Sequence, residues 1–334
     1  MIDSPLPIPD LTAALVDLVR AIPSGSVTTF GSLARALGDV TATRWIAGWA
    51  KSASTENSLP WHRILRANGD LWTEDLGLQQ AALLSAEGIP LRDSQVDLSN
   101  AAIHTPPPND ILGPLQQLQL DWASRRKIIP LSEPPRLVGG LDISYHHETA
   151  VAAYTLVDLE SAELLWHAIR ESPVNFPYVS GYLAFRELPA LLPVLQAAAD
   201  ADQLAPVIMV DGNGQLHPRR AGIATLLGVL LDRPTIGVGK TLICGRLTDP
   251  SPVHAPNGET LTRSNILDGD EPLGVALTAA GKHKPLYISP GHLIDLDTAV
   301  NLALQLLTTH RLPEPLHWAD HLSRQATKSR SERP

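Results

Sequence analysis

The sequence has a single cysteine and no long hydrophobic run. Cys244 alone cannot form an internal disulfide or a cysteine-based zinc site, which agrees with a reducing compartment. No apolar stretch approaches the length of a membrane span, and Met1 to Pro9 carry neither a basic region nor a long apolar segment. We therefore expect a cytoplasmic protein with no membrane partner.

Basic residues are also in short supply. The chain has 26 lysines and arginines against 35 acids, for a formal net charge of −9. This balance argues against a polybasic nucleic-acid binder held by bulk charge. It leaves DNA binding open, because a local cationic groove can coexist with a negative total, and some of the acids can belong to a metal site.

What is present is enough for two domains. The chain has 334 residues, of which 44% are hydrophobic and 18% charged, as in a globular protein. A triple proline among polar residues is typical of a semi-rigid extended spacer. We predict one domain over 1–100, a Pro-rich linker over 101–114, a second domain over 115–325 and a solvated tail over 326–334.

Short apolar runs in the second domain end in acidic residues. One run precedes Asp211 and a similar one precedes Asp142, while Glu187 lies near the start of a helical stretch. A lone acid could equally cap a helix, but Mg²⁺ prefers several oxygen ligands, and strand ends are where chemistry collects in such sheets. With Lys240 and His292 downstream, the three acids indicate a metal-dependent site that cleaves phosphodiesters.

The order of the elements predicts the fold class of this domain. Three consecutive strands are expected between residues 137 and 169, followed by a helix after Glu187. A strand at 207, a helix over 226–231 and a strand over 235–238 come next. Strands followed by strand–helix alternation predict an α/β mixed sheet covered by helices, of the ribonuclease H-like kind.

The first hundred residues carry short helical patterns. One pattern covers residues 11–20, the next surrounds Leu33, and a third carries Arg44 and Trp49 beyond a glycine-containing turn. Two short helices around a turn predict a mainly α helix-turn-helix domain whose second helix enters a DNA groove. The same pattern is also compatible with a plain helical core.

Residues 22–34, 42–44 and 59–64, with Gly69 beyond them, resemble the DNA-binding domain of the O6-alkylguanine-DNA alkyltransferases. In that family a cysteine between the proline and the histidine accepts the alkyl group. This chain has Trp61 there, which cannot supply a thiolate nucleophile. The tryptophan form is similar to the alkyltransferase-like proteins, which bind the damaged base without repairing it.

The resemblance assigns a DNA-binding and alkyl-base-binding set to this domain. Arg44 would fill the gap left by a flipped nucleotide, and Trp61 would line the pocket that receives the base. Phe30 stands where the family usually has a tyrosine that helps to rotate the nucleotide. His62 and Arg63 complete the predicted set.

The second domain resembles endonuclease V from about residue 115 to about 322. The family implies a nuclease that requires Mg²⁺, with Mn²⁺ as a substitute, recognises deoxyinosine and nicks the second phosphodiester bond on its 3′ side. Seven ordered motifs make a chance likeness very improbable. They lie at residues 140–145, 176–181, 185–187, 210–214, 217–219, 237–240 and 289–292.

By this resemblance the three acids would hold the metal, and the lysine would stabilise charge on the scissile phosphate. His292 would help to activate the attacking water, and His217 would join this site or the lesion pocket. The predicted catalytic set is Asp142, Glu187, Asp211, Lys240, His292 and His217.

A loop in the second motif is similar to the family's lesion wedge. An aromatic ring there suits the role, because it can replace the stacking lost when the base leaves the duplex. Glycines in the motifs would let the backbone approach the inosine and the phosphates closely. The predicted wedge and pocket residues are Pro177, Tyr178, Val179, Ser180, Gly140, Gly212 and Gly214.

The two resemblances together describe an inert alkylguanine-binding module in front of an inosine-specific DNA repair endonuclease. Its partner would be damaged double- or single-stranded DNA, in a cytoplasmic, nucleoid-associated setting. One alternative is a lesion sensor that recruits nucleotide-excision-repair proteins, with a silent nuclease; the complete set of acids and lysine argues against silence. The other is an inosine-specific ribonuclease, against which the DNA-type front module argues.

Overall fold

The chain folds into two compact units, each with its own core. One comprises residues 8–117 together with 176–182, and the other comprises 118–175 and 183 onwards. The two-domain arrangement expected from the sequence is thus confirmed, but a seven-residue excursion belongs to the first unit. The computed structural model describes residues 8–55, 59–255, 258–279 and 284–331.

The first unit is mainly helical. Leu11, Leu15 and Leu18 repeat at helical spacing and are buried, and Asp10 caps their helix by accepting a hydrogen bond from Ala13 N. A small parallel sheet has β1 between β2 and β5. The elements are α1 (Leu11–Arg20), β1 (Ser26–Thr29), α2 (Phe30–Ala36), α3 (Thr43–Ala53), β2 (Ile64–Leu65), α4 (Glu74–Ala86), β3 (Leu91–Arg92), β4 (Gln95–Val96) and β5 (Ala102–Ile103).

The predicted linker over 101–114 packs on this unit instead of standing free. Its residues 102–103 form β5, which pairs with β1. Beyond the three prolines, Asn109 N donates to Ala36 O at 2.7 Å and Leu112 N donates to Leu37 O at 2.8 Å. Prolines have no N–H, so the residues around them anchor the segment. The next helix, α5 (Gly113–Arg125), continues the chain into the second unit.

The second unit is built on a mixed sheet, as predicted. Its strand order is β11-β13-β14-β15-β10-β9-β6-β7-β8, with β12 beside β13; β6, β9 and β10 run parallel. The elements are β6 (Leu137–His146), β7 (Thr149–Asp158), β8 (Leu164–Pro173), α6 (Leu183–Asp200), β9 (Val207–Asp211), α7 (Ile223–Leu231), β10 (Thr235–Gly239), β11 (Arg246–Leu247), β12 (Ser251–His254), β13 (Thr260–Asp268), β14 (Glu271–Ala279), β15 (Leu286–His292), α8 (Leu296–Gln305) and α9 (Glu314–Ser331).

Helices cover both faces of this sheet, because side chains alternate along each strand. Ile208 and Val210 of β9 pack in one core with residues of α6 and α7. Val207 and Met209 of the same strand pack in the other core with residues of α8 and α9. The parity of a strand residue therefore decides which pair of helices its side chain meets.

Two boundaries differ from the sequence-based expectations. Helix α6 begins at Leu183, before Glu187, and continues through Pro189 and Pro193. Helix α9 runs to Ser331, so the predicted tail from residue 326 is helical as far as 331; residues 332–334 lie outside the described chain. Thr327 Oγ1 donates to Ser323 O at 2.8 Å, four residues back, as in a continuing helix.

Within the described ranges, no helix has the length and apolar character needed to cross a bilayer.

Candidate active site

Strand pairing brings Asp142 and Asp211 side by side. Leu141 pairs with Val210 in the parallel β6–β9 ladder, so the acids that follow them occupy neighbouring positions. Asp142 has the same parity as Val138, and Asp211 the same parity as Met209, both of which belong to the core under α8 and α9. Both carboxylates therefore project on the face that α9 covers.

Helix α9 supplies a third carboxylate at this place. Asp142, Asp211 and Asp320 each offer an oxygen, and these oxygens lie within 4.8 Å of one another. One turn further along α9, the buried Ser323 donates its hydroxyl hydrogen bond to Asp142 Oδ2 at 2.9 Å. Oxygen donors drawn from two strands and a helix are a suitable set for a hard divalent cation.

The electrostatics of the site also fit a bound cation. Burial, followed by the charge of Asp211, raises the pKa of Asp142 to about 8. Burial together with Asp211 and Asp142 raises the pKa of Glu187, on α6, to about 8 as well. Like charges crowded out of water favour protonation, and a divalent cation would relieve that repulsion.

Lys240 completes the cluster from the next strand. It follows β10, and its ammonium donates a hydrogen bond to Asp211 Oδ2 while lying 3.8 Å from Asp320 Oδ1. Burial lowers its pKa, but the charges of Asp211, Asp142 and Asp320 outweigh that effect and hold the pKa above the ordinary value. A charged, half-exposed ammonium beside the carboxylates is well placed to meet a phosphate oxygen.

The structure places His292 away from the acids, and its role in catalysis stays a prediction. His292 pairs with Thr235 at the start of β10, whereas Asp211 pairs with Val238, three residues or roughly 10 Å further along. A Cβ atom at Gly228 of α7 would lie 2.5 Å from the His292 Cβ, so His292 is on the opposite face of the sheet. Its Nδ1 accepts a hydrogen bond from Lys127 N at 3.2 Å.

His217 lies in the loop that follows Asp211. It is buried, and its Nδ1 accepts from Arg219 N at 3.2 Å, which holds the turn. This contact gives His217 a structural role in the loop; its membership of the active site or of a lesion pocket stays a prediction.

The three glycines of the predicted pocket face protein atoms. A Cβ would lie 2.2 Å from Pro315 O at Gly140, and 2.2 Å from Pro290 O at Gly214. At Gly212 it would lie 2.4 Å from Ile223 Cγ2. Their missing side chains admit close packing of the chain against itself. That they also let the backbone approach the inosine and the phosphates stays a prediction.

The predicted wedge, 177–180, belongs to the first compact unit. Tyr178 is 64% exposed, as an inserted ring requires, whereas Val179 is buried and Ser180 is exposed. Pro177 is half-buried. The segment therefore presents one aromatic ring to solvent on a partly buried base.

The first unit exposes only part of its predicted binding set. Arg44 is exposed near the start of α3, as a helix that meets DNA requires. Trp61 is buried, and Phe30 is buried with its ring edge-on to Trp72 at 5.7 Å. The two rings thus belong to the packed interior of the unit in this structure.

Arg63 and His62 form a hydrogen-bonded network within the first unit, and their contacts to DNA stay a prediction. Glu87 accepts from Arg63 Nη2 at 2.6 Å and from His62 Nε2 at 2.9 Å. Arg63 Nη1 also donates to Ile22 O at 2.7 Å. Burial alone would raise the pKa of Glu87, but hydrogen bonds from Arg63, Gly25 N and His62 lower it to about 2. The donors are thus directed into the fold.

Sequence reasoning missed Asp320 and Ser323. Both lie on α9, in a stretch whose charged residues suggest a solvated end. The available signal was helical spacing, because Ser323 follows Asp320 by three residues on the side that also carries the buried Leu316 and Ala319. An acid and a hydroxyl beside an apolar stripe mark the edge of a buried helix face.

Carboxylates from two neighbouring parallel strands and a helix, with a lysine beside them, define a class of site that can hold a divalent cation beside a phosphate, as in many nucleases. A comparison with known protein families supports the same class. The model of the Endonuclease V family matches residues 121–321. The chain belongs to the Endonuclease V family and is an endonuclease. A second family model, that of the DNA-binding domain of 6-O-methylguanine DNA methyltransferase, matches residues 10–89. The front unit is therefore an alkyltransferase-like DNA-binding domain.

Individual relatives agree with this assignment. The chain is similar to Endonuclease V of Rippkaea orientalis, with 39% identity over 189 residues, covering 56% of this chain and 78% of that protein. The crystal structure of Endonuclease V from Streptomyces avermitilis is 33% identical with a TM-score of 0.57, covering 66% of this chain and 94% of that one. The catalytic domain of human Endonuclease V is 29% identical with a TM-score of 0.57, and the match covers 68% of this chain and 100% of that one.

Proposed function

We propose that this protein is a divalent-cation-dependent repair endonuclease that nicks DNA at the second phosphodiester bond 3′ to deoxyinosine. The observation that carries the proposal is the cluster of Asp142, Asp211 and Asp320 with Lys240 beside it. A phosphodiester strand is an anionic substrate, so a site that joins oxygen ligands for Mg²⁺ to a fixed ammonium suits its cleavage.

Each side chain has a distinct task in this proposal. Asp142, Asp211 and Asp320 would hold Mg²⁺, or Mn²⁺ in its place. When bound, such an ion lowers the pKa of a coordinated water and offsets charge on the phosphate. Glu187, whose pKa is raised to about 8, would hold or accept a proton near neutral pH. Lys240 would donate to a non-bridging phosphate oxygen.

Inosine-containing DNA as the substrate is supported by a structural relative. An Endonuclease V of Ciona intestinalis, 28% identical with a TM-score of 0.57, was crystallised with a 24mer DNA containing an inosine followed by a ribo-adenosine. The ribonucleotide in that ligand also favours a second candidate, cleavage of inosine in RNA. The alkyltransferase-like front unit favours DNA for this chain.

The experiment is a product-mapping assay with the full chain in Mg²⁺. The substrates are 5′-labelled duplexes that contain one deoxyinosine, no lesion, or one inosine in an RNA strand. We expect a single nick at the second phosphodiester bond 3′ to deoxyinosine, directly after its 3′ neighbour, and no nick with Asp211→Asn. The matched control is Asp297→Asn, whose side chain is 81% exposed. Equal cutting of the unmodified duplex, or cutting of the RNA alone, would contradict the proposal.

For the front unit we propose a non-catalytic role in binding O6-alkylguanine or a related flipped base. Trp61 stands where an acceptor cysteine would be needed, so the unit cannot take up an alkyl group. Arg44 is exposed and suits the space that a flipped nucleotide leaves. Binding of an O6-methylguanine duplex tighter than its unmodified counterpart, with no transfer of the methyl group, is the expected result. Equal affinity for both duplexes would sink this part of the proposal.

A further inference from the structure

The segment 176–182 is folded as part of the first unit, although the Endonuclease V match runs over it. It lies between β8 and α6, so it interrupts the second unit in sequence. Phe176, Val179 and Tyr182 are each at most 1% exposed, while Tyr178 is 64% exposed. The segment therefore has a fixed base and one free aromatic ring.

A tight turn shapes this base. Tyr182 N donates to Val179 O at 3.0 Å, and Gly181 between them has a φ of +80°. A positive φ at the third position is the geometry of a type II turn, which favours glycine there. The turn therefore restricts the backbone immediately after Tyr178.

Asp39 anchors the turn within the first unit. Its Oδ2 accepts a hydrogen bond from Tyr182 Oη at 2.6 Å and another from Gln116 Nε2 at 3.0 Å. Its Oδ1 accepts from Thr41 N at 2.9 Å, which caps the short turn 40–42 that leads into α3 and Arg44. One carboxylate thus joins the start of α3 to the base of the segment that carries Tyr178.

We propose that Asp39 is a positioning residue for lesion extrusion by the endonuclease, acting through Tyr182 on the Tyr178 segment. This inference rests on the proposed function. Hydrogen bonds to an ionised acceptor are short and strong, so the Asp39–Tyr182 bond can fix the segment where a mobile loop would have to be ordered on binding. The front unit then contributes to removing a stacked base from a duplex but not to hydrolysis.

The two variants are Tyr182→Phe, which removes only the hydroxyl, and Asp39→Ala. The matched control is Asp10→Ala, because Asp10 also caps a helix in this unit, where it accepts from Ala13 N at the start of α1. In hydrogen–deuterium exchange of the full chain, we expect the amides of 176–182 to exchange faster in both variants than in the natural chain. In the control, they should exchange at the natural rate.

The functional readout is the ratio of nicking rates on duplex and single-stranded DNA that contain deoxyinosine. A single-stranded base needs little unstacking, so its rate reports on the metal site alone. We expect the ratio to fall about tenfold in both variants, the effect of losing one hydrogen bond to a charged group. The single-stranded rate should stay at the natural value.

Outcomes separate this inference from the proposed function. A ratio unchanged in Tyr182→Phe and Asp39→Ala, or lowered equally by Asp10→Ala, overturns the positioning role. If the natural chain nicks neither DNA, the proposed function fails. The positioning role is then decided by hydrogen–deuterium exchange and by the fluorescence of 2-aminopurine placed beside deoxyinosine. On DNA binding, this fluorescence must rise less with the variants than with the natural chain.

Discussion

The Ser323 hydroxyl donates to Asp142 Oδ2 at 2.9 Å across a sequence separation of 181 residues. The bond connects α9 to β6 at the point where the three aspartates meet. Because Ser323 Oγ also accepts from the neighbouring Ser144 hydroxyl at 2.8 Å, the helix is held to the strand by a small network. The position of Asp320, one turn earlier, depends on this attachment.

Replacing Ser323 by alanine should destabilise the chain and weaken its cation site. The change leaves a buried carboxylate with one donor fewer, which costs about 1–3 kcal/mol. Urea unfolding measures this loss. Ser329→Ala on the same helix, whose hydroxyl donates to Gln325 O, should change the free energy of unfolding by only a few tenths of that amount. Equal losses in the two variants would remove the special role of Ser323.

In EDTA, the free energy of unfolding should fall as the pH rises from about 4 to about 8. The pKa of Asp142 is 3.8 when unperturbed and about 8 in the folded chain, because of burial and the charge of Asp211. Between these values unfolding releases a proton, so rising pH favours the unfolded chain by up to ~1.4 kcal/mol per pH unit. Asp142→Asn should remove this slope, and be the more stable protein at pH 8.

Adding Mg²⁺ at pH 8 should reverse that order, because the ion binds the folded natural chain and Asp142→Asn lacks a ligand. Thermal unfolding with and without Mg²⁺ measures both effects. Parallel pH profiles for the two proteins in EDTA would contradict the assignment of the raised pKa to Asp142.

Glu87 should stabilise the first unit above about pH 4.5 and lose that effect as the pH falls towards about 2. Its pKa is lowered from 4.5 to about 2, with burial opposing the shift and Arg63 leading the groups that cause it. Glu87→Gln leaves Arg63 without its partner and should cost about 3 kcal/mol at pH 7, and less near pH 2. Asp17→Asn, an exposed change on α1, is the control. A cost independent of pH would mean that packing, not charge, is lost.

Arg44→Ala should weaken binding of O6-methylguanine duplex more than binding of unmodified duplex. If the guanidinium occupies the space of a flipped nucleotide, its loss should reduce the preference about tenfold, since a few kcal/mol are needed for flipping. Fluorescence anisotropy at fixed salt gives both affinities. Arg20→Ala, an exposed cation at the end of α1, should lower both affinities equally or not at all. A uniform loss with Arg44→Ala would make it a simple phosphate contact.

Local patterns were sufficient to predict part of the site. Asp142 and Asp211 each come after a short apolar run, and Lys240 follows β10. Strand parity places all three on one face of the sheet. The order of strands and helices along the chain likewise predicted the mixed sheet. These features depend on neighbours within a few residues, which sequence spacing records.

The remaining features depend on packing between distant segments. Asp320 joins the cluster because α9 lies over the face that carries Val138 and Met209, and no local pattern marks that choice. His292 was assigned to the site by its motif, yet its strand position directs it to the α7 side. The proline-rich composition of 101–114 predicts an extended spacer. Its backbone pairing with β1 depends on a strand about 75 residues earlier, which local composition does not indicate.

The central claim is that Asp142, Asp211 and Asp320 form the cation site of the endonuclease. The most direct test is a Mg²⁺ titration of single-turnover nicking at deoxyinosine, comparing Asp320→Asn with the natural chain and with Asp297→Asn. We predict that Asp320→Asn raises the half-saturating Mg²⁺ concentration at least about tenfold, as expected for a lost ligand or its support, while Asp297→Asn matches the natural chain. Superimposable titrations for Asp320→Asn and the natural chain would contradict the claim.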